Sequence, residues 1–222
     1  MTIHDLPVAT KQTFSVVGKS VKRSDTLEKV TGTAVYAGDI ILPGMLHGKI
    51  KRCEIAHARI KSIDTSKALA LKGVKAVLTH ENVPRVLHYG SPHPRSSSVT
   101  KDQYILDDRV RYWGEGVAAV AAVSEEIAEE ALGLIEVEYE PLPAVFTVED
   151  ALKPDAPAIH DNGLDKNNVL PPVIVERGDI DQGFAEADLI VEGEYDLGRP
   201  TAAYMEPNIC VTQWDGNGKL TI

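Results

Sequence analysis

Seven histidines and two cysteines are the side chains best suited to hold a metal or attack a substrate. Their spacing argues against both tasks. Cys53 and Cys210 lie far apart and form no CxxC pair, so zinc-type ligation has no scaffold. They read as reduced thiols, a disulfide between them being the lesser alternative. Cys210 stands between Ile209 and Val211 and reads as a buried small hydrophobe. His88 and His93 share a loop with Pro and Ser, with no cysteine or carboxylate at ligand spacing, and read as surface residues. His57 sits in the run AHAR (56–59). A role in a site and a packed, hydrogen-bonded structural role both stand open for it, the second being the simpler.

Glu125, Glu126, Glu129 and Glu130 could suggest acid–base chemistry. Helical spacing gives a plainer account, since these positions form the solvated face of an amphipathic helix. Glu206 lies in YMEPN (204–208), where a strand begins and Pro207 forces an extended approach. A glutamate buried there needs partners. It reads as a structural carboxylate, or one that supports a site, before it reads as a catalytic group. The sequence has no GxGxxG, no P-loop, no HExxH and no GxSxG. No residue is therefore assigned a catalytic, cofactor-binding or metal-binding role.

The elements around these residues predict an α+β chain. Thr33 to Tyr36, Leu46 to Arg52, Arg59 to Ile63 and Val74 to Leu78 read as strands. Lys19 to Arg23 reads as a solvated N-terminal strand. Leu42-Pro43-Gly44 reads as a tight turn. Thr65 to Leu71 reads as a two-turn helix capped by Asp64 or Thr65, with Gly73 just past its end. Val117 to Val123 (VAAVAAV) suits a buried strand whose small side chains let a helix pack close. A helix follows, with Ser124 as its hydroxyl cap, Glu125 and Glu126 in the first turn, and Ile127, Ala128, Ala131, Leu132 and Ile135 on one face. Ile135, Val137 and Tyr139 then alternate with Glu136, Glu138 and Glu140 as a half-buried strand, stopped by Pro141 and Pro143. Further on, Asp179 to Ala187 predicts a helix, Leu189 to Tyr195 a strand, and Ala203 to Trp214 a strand, turn and strand. Asp215 to Gly218 reads as a hairpin turn before the apolar run Leu220 to Ile222. Gly90 to Thr100 and Lys153 to Leu170 read as long loops. The second is long enough to place a domain boundary near residue 150.

Composition narrows the function classes. A chain of 222 residues with 43% hydrophobic residues can build one large core or two small ones. The net charge of −10 disfavours nucleic acid, because phosphate backbones repel it. No apolar run approaches the roughly 18 to 20 residues of a membrane span. The first eleven residues are polar and carry no secretory h-region, so the expected location is cytoplasmic.

Seven segments, in order, resemble one family. They are Asp25 to Asp39 (DTLEKVTGTAVYAGD), Leu42 to Lys49 (LPGMLHGK), Ala56 to Ile60 (AHARI), Gly73 to Thr79 (GVKAVLT), Val110 to Ala122 (VRYWGEGVAAVAA), Ala128 to Pro143 (AEEALGLIEVEYEPLP), and Gly178-Asp179 with Tyr204 to Pro207 (YMEP). Together they resemble the molybdenum-binding large subunit of the xanthine dehydrogenase and aldehyde oxidase family, over roughly residues 18 to 222. The resemblance implies an N-terminal extension at 1–24, an α/β hammerhead domain at 25–146, a linker at 147–170 and the incomplete start of a molybdopterin-binding domain at 171–222. In this family the subunit holds molybdenum on a pterin dithiolene and hydroxylates substrate with water-derived oxygen. Electrons leave through [2Fe–2S] clusters to FAD on partner subunits or domains. The family's molybdenum-contacting glutamine, glycine-rich loop and catalytic glutamate match nothing here. Cys53-Glu54-Ile55 stands where the family often has Ser-Pro, Gly114-Glu115-Gly116 where it has Gly-Glu-Pro or Gly-Asp-Glu, and Thr201-Ala202-Ala203 where it usually has a histidine.

The expectation is therefore an N-terminal piece of a molybdenum hydroxylase subunit, inactive alone and binding no cofactor by itself. Its partners would be the rest of that subunit, an iron–sulfur subunit and an FAD subunit in an oligomeric enzyme. The substrate, whether a purine, another N-heterocycle, an aldehyde or an aromatic CoA ester, stays open. Two alternatives stand beside it: a naturally split subunit completed by another chain, and a non-catalytic hammerhead interaction module. The ending within an apolar strand pattern favours the first two over the third.

Overall fold

The computed structural model describes residues 14–89, 101–160, 168, 174–198 and 200–222. In chain order the elements are α1 (Thr26–Thr31), a 3-10 turn (Ala37–Asp39), β1 (His47–Arg52), β2 (Ala58–Asp64), α2 (Ser66–Ala70), β3 (Val74–Thr79), β4 (His88–Tyr89) and β5 (Lys101–Gln103). After them come β6 (Arg109–Val110), β7 (Gly116–Ala122), α3 (Glu125–Leu134), β8 (Glu136–Pro141), α4 (Val148–Ala151), α5 (Ile180–Glu186), β9 (Gln213–Trp214) and β10 (Leu220–Thr221). Two compact units emerge, Met1–Leu42 with Leu197–Ile222, and Pro43–Asp196.

The second unit holds the core. β7 is the middle strand of an antiparallel sheet ordered β1-β7-β3. Side chains alternate across a strand, so VAAVAA serves two faces. Ala118, Val120 and Ala122 pack with Val77 of β3 against Ala68 of α2 and Ala128, Ala131 and Ile135 of α3 and its end. Ala118, Ala122, Ala128 and Ala131 are all fully buried, so the helix lies close on the sheet through methyl groups. Val117 faces the other way into a second cluster with Cys53, Ala58, Ile60 and Val110. Ala58, Ile60 and Val110 of that cluster stand on the antiparallel sheet β6-β2-β8. Ile63 and Val137 pack against both clusters and join them.

The local signals explain these elements. Ser124 Oγ accepts the Ile127 N–H at 3.3 Å, capping α3 as its position predicts. Lys51 Nζ donates to the Leu132 carbonyl at 2.9 Å near the negative end of the same helix. The glutamates of α3 are on its solvated side, where Lys49 pairs with Glu125 at 2.5 Å and approaches Glu129 at 3.6 Å. At α2, Thr65 is the cap residue by position, but the Ser66 N–H is taken by Asp64 Oδ1 at 2.9 Å. That bond holds the Asp64 carboxyl below the usual range. α2 ends early, at an extended Leu71, and Gly73 at φ +105 turns the chain into β3. A Cβ at Gly73 would stand 2.8 Å from Ile127 Cδ1, so a larger residue there would also push that side chain aside.

Four expected strands are absent. Thr33 to Tyr36 forms none, because its amides serve a helix end. α1, which the strand reading missed, closes at Gly32 in the left-handed conformation, and Thr33 and Ala34 donate to the Glu28 carbonyl at 2.9 and 3.1 Å. Lys19 to Arg23 is exposed and outside any strand, and Arg23 bonds Asp25 instead. Leu189 to Tyr195 and the stretch from Ala203 to Thr212 are likewise neither paired nor buried, Val211 alone being half-buried. An unpaired strand leaves its N–H and C=O groups without a ladder, and among the described residues no strand lies beside these two. The hairpin does form: β9 and β10 pair across Asp215–Gly218, whose Asp215 Oδ1 accepts the Asn217 and Lys219 N–H groups. The Leu42-Pro43-Gly44 turn is present, with Gly44 at φ +73. The loop expected at Gly90 to Thr100 lies outside the described residues. Lys153 to His160 carries neither helix nor strand, and most of the remainder of that expected loop is also outside them.

Candidate functional site

Polar chemistry in the Pro43–Asp196 unit converges where β6 meets the chain after α4. The sequence LDDRVRYWGEG (106–116) places it there. Alternation sends Val110 into the core and aims Arg109 and Arg111 to the opposite side. Asp107 sits beneath them with only 4% of its side chain exposed. Its Oδ2 accepts from Arg111 at 2.7 Å, and its Oδ1 from Arg85 at 2.8 Å and from the Asp108 N–H at 2.9 Å. Burial alone would push the Asp107 carboxyl up; these bonds outweigh it and hold the carboxyl below the usual range. Arg85 also lies over the Tyr104 ring at 4.2 Å.

His57 belongs to the same assembly. It is buried, its Nδ1 lies 2.5 Å from the Pro143 carbonyl and its Nε2 accepts from Arg109 Nε at 2.9 Å. An acceptor at Nε2 puts the ring proton on Nδ1, which donates to Pro143. Of the two readings open for His57, the packed, hydrogen-bonded one is what the contacts describe. Arg109 continues to the Ala158 carbonyl at 2.7 Å, and Arg111 Nε to the Ile159 carbonyl at 3.2 Å. Glu115 accepts the Arg111 N–H at 2.5 Å. Burial raises the Glu115 carboxyl above its ordinary range, against the lowering effect of that bond.

Sequence reasoning missed Asp107, Arg109, Arg111 and Glu115. The available signal was the D-x-R-x-R spacing, which puts three charges on one face of an extended chain otherwise anchored by Leu106 and Val110. The structure does not unite the residues singled out from sequence. His88 is exposed at β4, and His93 lies outside the described residues. Cys53 is buried and its thiol donates to the Tyr112 carbonyl at 3.3 Å, whereas Cys210 is exposed, contrary to the buried hydrophobe its neighbours imply. Glu206 is also exposed, so the partners required of a buried glutamate do not arise. Both corrections have one cause: the strand that would have carried them does not form. Both cysteines are free thiols.

Among the described residues no group of three His, Cys, Asp or Glu side chains could hold a metal ion. No described helix is long and apolar enough to cross a membrane. The arginines of the Asp107 cluster are engaged by carboxylates and carbonyls. The arrangement therefore fixes backbone rather than offering a reactive group.

The match to known families follows the order of the domains. Residues 31–143 match the α/β hammerhead domain of aldehyde oxidase and xanthine dehydrogenase. The chain belongs to the aldehyde oxidase and xanthine dehydrogenase family. Residues 159–222 match the molybdopterin cofactor-binding domain. The chain is 39% identical to the nicotinate dehydrogenase large molybdopterin subunit of Eubacterium barkeri, covering 94% of this chain and 47% of that one. It is 34% identical to the xanthine dehydrogenase molybdenum-binding subunit of Escherichia coli O157:H7, over 90% of this chain and 27% of that one. Quinoline 2-oxidoreductase from Pseudomonas putida 86 superposes with a TM-score of 0.71 at 33% identity, over 91% of this chain and 26% of that one. The chain thus spans between about a quarter and a half of these family members. The fold is α+β, a hammerhead followed by a stretch of the cofactor-binding domain.

The second match invites a test of the site for a molybdenum cofactor. In the described part of 159–222, Glu206, Met205 and Cys210 are all solvent-exposed and form no cradle. These residues alone do not make a site for the group, and no chemical step is derived through it.

Proposed function

We propose that this chain forms the N-terminal part of the molybdopterin-binding subunit of a xanthine dehydrogenase-type molybdenum hydroxylase. The observation that supports the reading is the tandem match, hammerhead at 31–143 and cofactor-binding domain at 159–222, in one chain. The domain limits suggested by the resemblance, 1–24, 25–146, 147–170 and 171–222, are proposed with it. Bound in a complete subunit, the molybdenum cofactor would supply the hydroxylating chemistry with water-derived oxygen. The hammerhead would then serve as scaffold, and the substrate would be a purine, another N-heterocycle, an aldehyde or an aromatic CoA ester. Iron–sulfur and FAD subunits would carry the electrons away, in the cytoplasm. Alone, the chain is inactive.

The test is direct. The 222-residue chain, purified from cells supplied with molybdate, is expected to carry no stoichiometric molybdenum and to oxidise neither nicotinate, hypoxanthine nor quinoline with a dye acceptor. Addition of a polypeptide supplying the rest of the subunit is expected to bring both. Tight stoichiometric molybdenum on the chain by itself would overturn the reading of an incomplete site. Failure of complementation would move the proposal toward a non-catalytic module.

A further inference from the structure

The contacts around β6 form two short relays that end on neighbouring residues. In the first, the Pro143 carbonyl accepts from His57, His57 accepts from Arg109, and Arg109 donates to the Ala158 carbonyl. In the second, Asp107 holds Arg111, and Arg111 donates to the Ile159 carbonyl. A further bond, from the Leu142 N–H to the His57 carbonyl at 2.9 Å, ties the same exit point. The chain therefore leaves the hammerhead at 142–143 and is gripped again at 158–159. Everything between, including α4, is a loop whose two ends are fixed to one strand pair.

We infer that Asp107, Arg109, Arg111 and His57 form a clasp that fixes where the cofactor-binding stretch starts relative to the hammerhead. Three features carry this. The gripped residue Ile159 is the one at which the cofactor-domain match begins. The grip is on carbonyl oxygens, so it holds the path of the backbone whatever side chains stand there. The grip is also preorganised from behind, since Asp107 is buried and both its oxygens are occupied. A guanidinium fixed in this way loses little freedom when it binds a carbonyl. On the far side Asn168 completes the fixation: its Oδ1 accepts the Ile159 N–H at 2.8 Å and its Nδ2 donates to the Pro157 carbonyl at 2.9 Å. The clasp stands whether or not the redox reading holds, because it rests on contacts within one compact unit.

The experiment is hydrogen exchange, followed by mass spectrometry, on the whole chain with the double substitution R109Q and R111Q. Within 154–160 the Ala156 and Ile159 amides, bonded to the Lys153 carbonyl and to Asn168, are expected to exchange at least about tenfold faster, while those of α3 stay within about twofold of the parent. A smaller rise at 154–160, or one that α3 shares, overturns the clasp. In the second case the arginines are simply part of the fold's general stability. Should the double variant not fold, R109Q alone carries the same test, because it leaves the ion pairs of Asp107 in place. The surface variant K61Q, whose partner Glu138 lies at 3.0 Å in an exposed pair, is expected to change neither region.

Discussion

Residues 135–140 and residues 189–195 carry nearly the same pattern, IEVEYE in one and LIVEGEY in the other. The first becomes β8. Its Val137 and Tyr139 pair with Ile63 and Ile60 of β2, and its glutamates face solvent, where Glu138 meets Lys61 and Glu136 meets Lys67. Burial there pushes the Tyr139 hydroxyl up to about 12. The second becomes no element at all. Leu189 is 79% exposed and Val191 82%. Alternation states which side of a strand is apolar; it does not supply the neighbour whose N–H and C=O groups complete the ladder. β8 has β2 beside it. Among the described residues no strand pairs with 189–195. A periodic pattern is thus a conditional statement, made true by a partner elsewhere in the chain.

The contrast can be broken most forcefully at Asp107. D107A leaves two arginines facing a vacated buried position, and an unpaired buried charge costs about 3 kcal/mol. Urea denaturation at pH 7 measures it. The carboxyl is held below its ordinary value of 3.8, so its contribution is present above that value and lost as pH falls through the lower, folded-state value. The difference between parent and D107A should therefore shrink below about pH 4. A constant difference would remove the ion pairs from the account.

A more even comparison sets two valines against each other. V120A removes methyls from the core beneath α3 and is expected to cost about 2 kcal/mol. V191A, at an equally apolar position in the alternating pattern, is expected to change stability by less than about 0.5 kcal/mol. Equal effects, read from the same melts, would mean that 189–195 is packed in solution.

A modest effect of the opposite sign is expected at Glu115. Its folded-state value is raised by burial, so its favourable contribution is present below its ordinary 4.5 and lost as pH rises through the folded value. E115Q keeps an oxygen for the Arg111 N–H and removes the charge. It is expected to stabilise the chain at pH 7 by up to about 1 kcal/mol and to have no effect below about pH 4. Destabilisation at pH 7 would show that the charged form is the one the fold needs.

Much of the hammerhead is legible in the sequence alone. β1, β2, β3, β7, α3 and β8 fall where alternation, helical spacing and the Ser124 cap put them, since each signal is local and each acts on the backbone within a few residues. α1 was missed because TLEKVT is only six residues long and its one apolar pair, Leu27 and Val30, stays exposed. Its helix is visible only in the Gly32 closure and the Asp25–Lys29 pair at 2.6 Å. The Asp107 cluster was missed for another reason. The D-x-R-x-R run of 107–111 is local, but Arg85, His57 and the carbonyl of Ile159 are distant from it in sequence, and no spacing rule links them to it. Cys210 and Glu206 were misread because their burial was inferred from a strand that has no partner.

By itself the sequence determined the family, through seven segments in order, and the positions of those elements whose caps and periods are short-range. Charge composition and the absence of ligand spacing were settled there too. Only the tertiary structure decided which alternating runs became strands, which polar residues were buried and which backbone carbonyls after α4 the arginines hold. Those outcomes depend on groups far apart in the chain meeting in space. A buried aspartate is stable only when the arginines that satisfy it arrive from other elements.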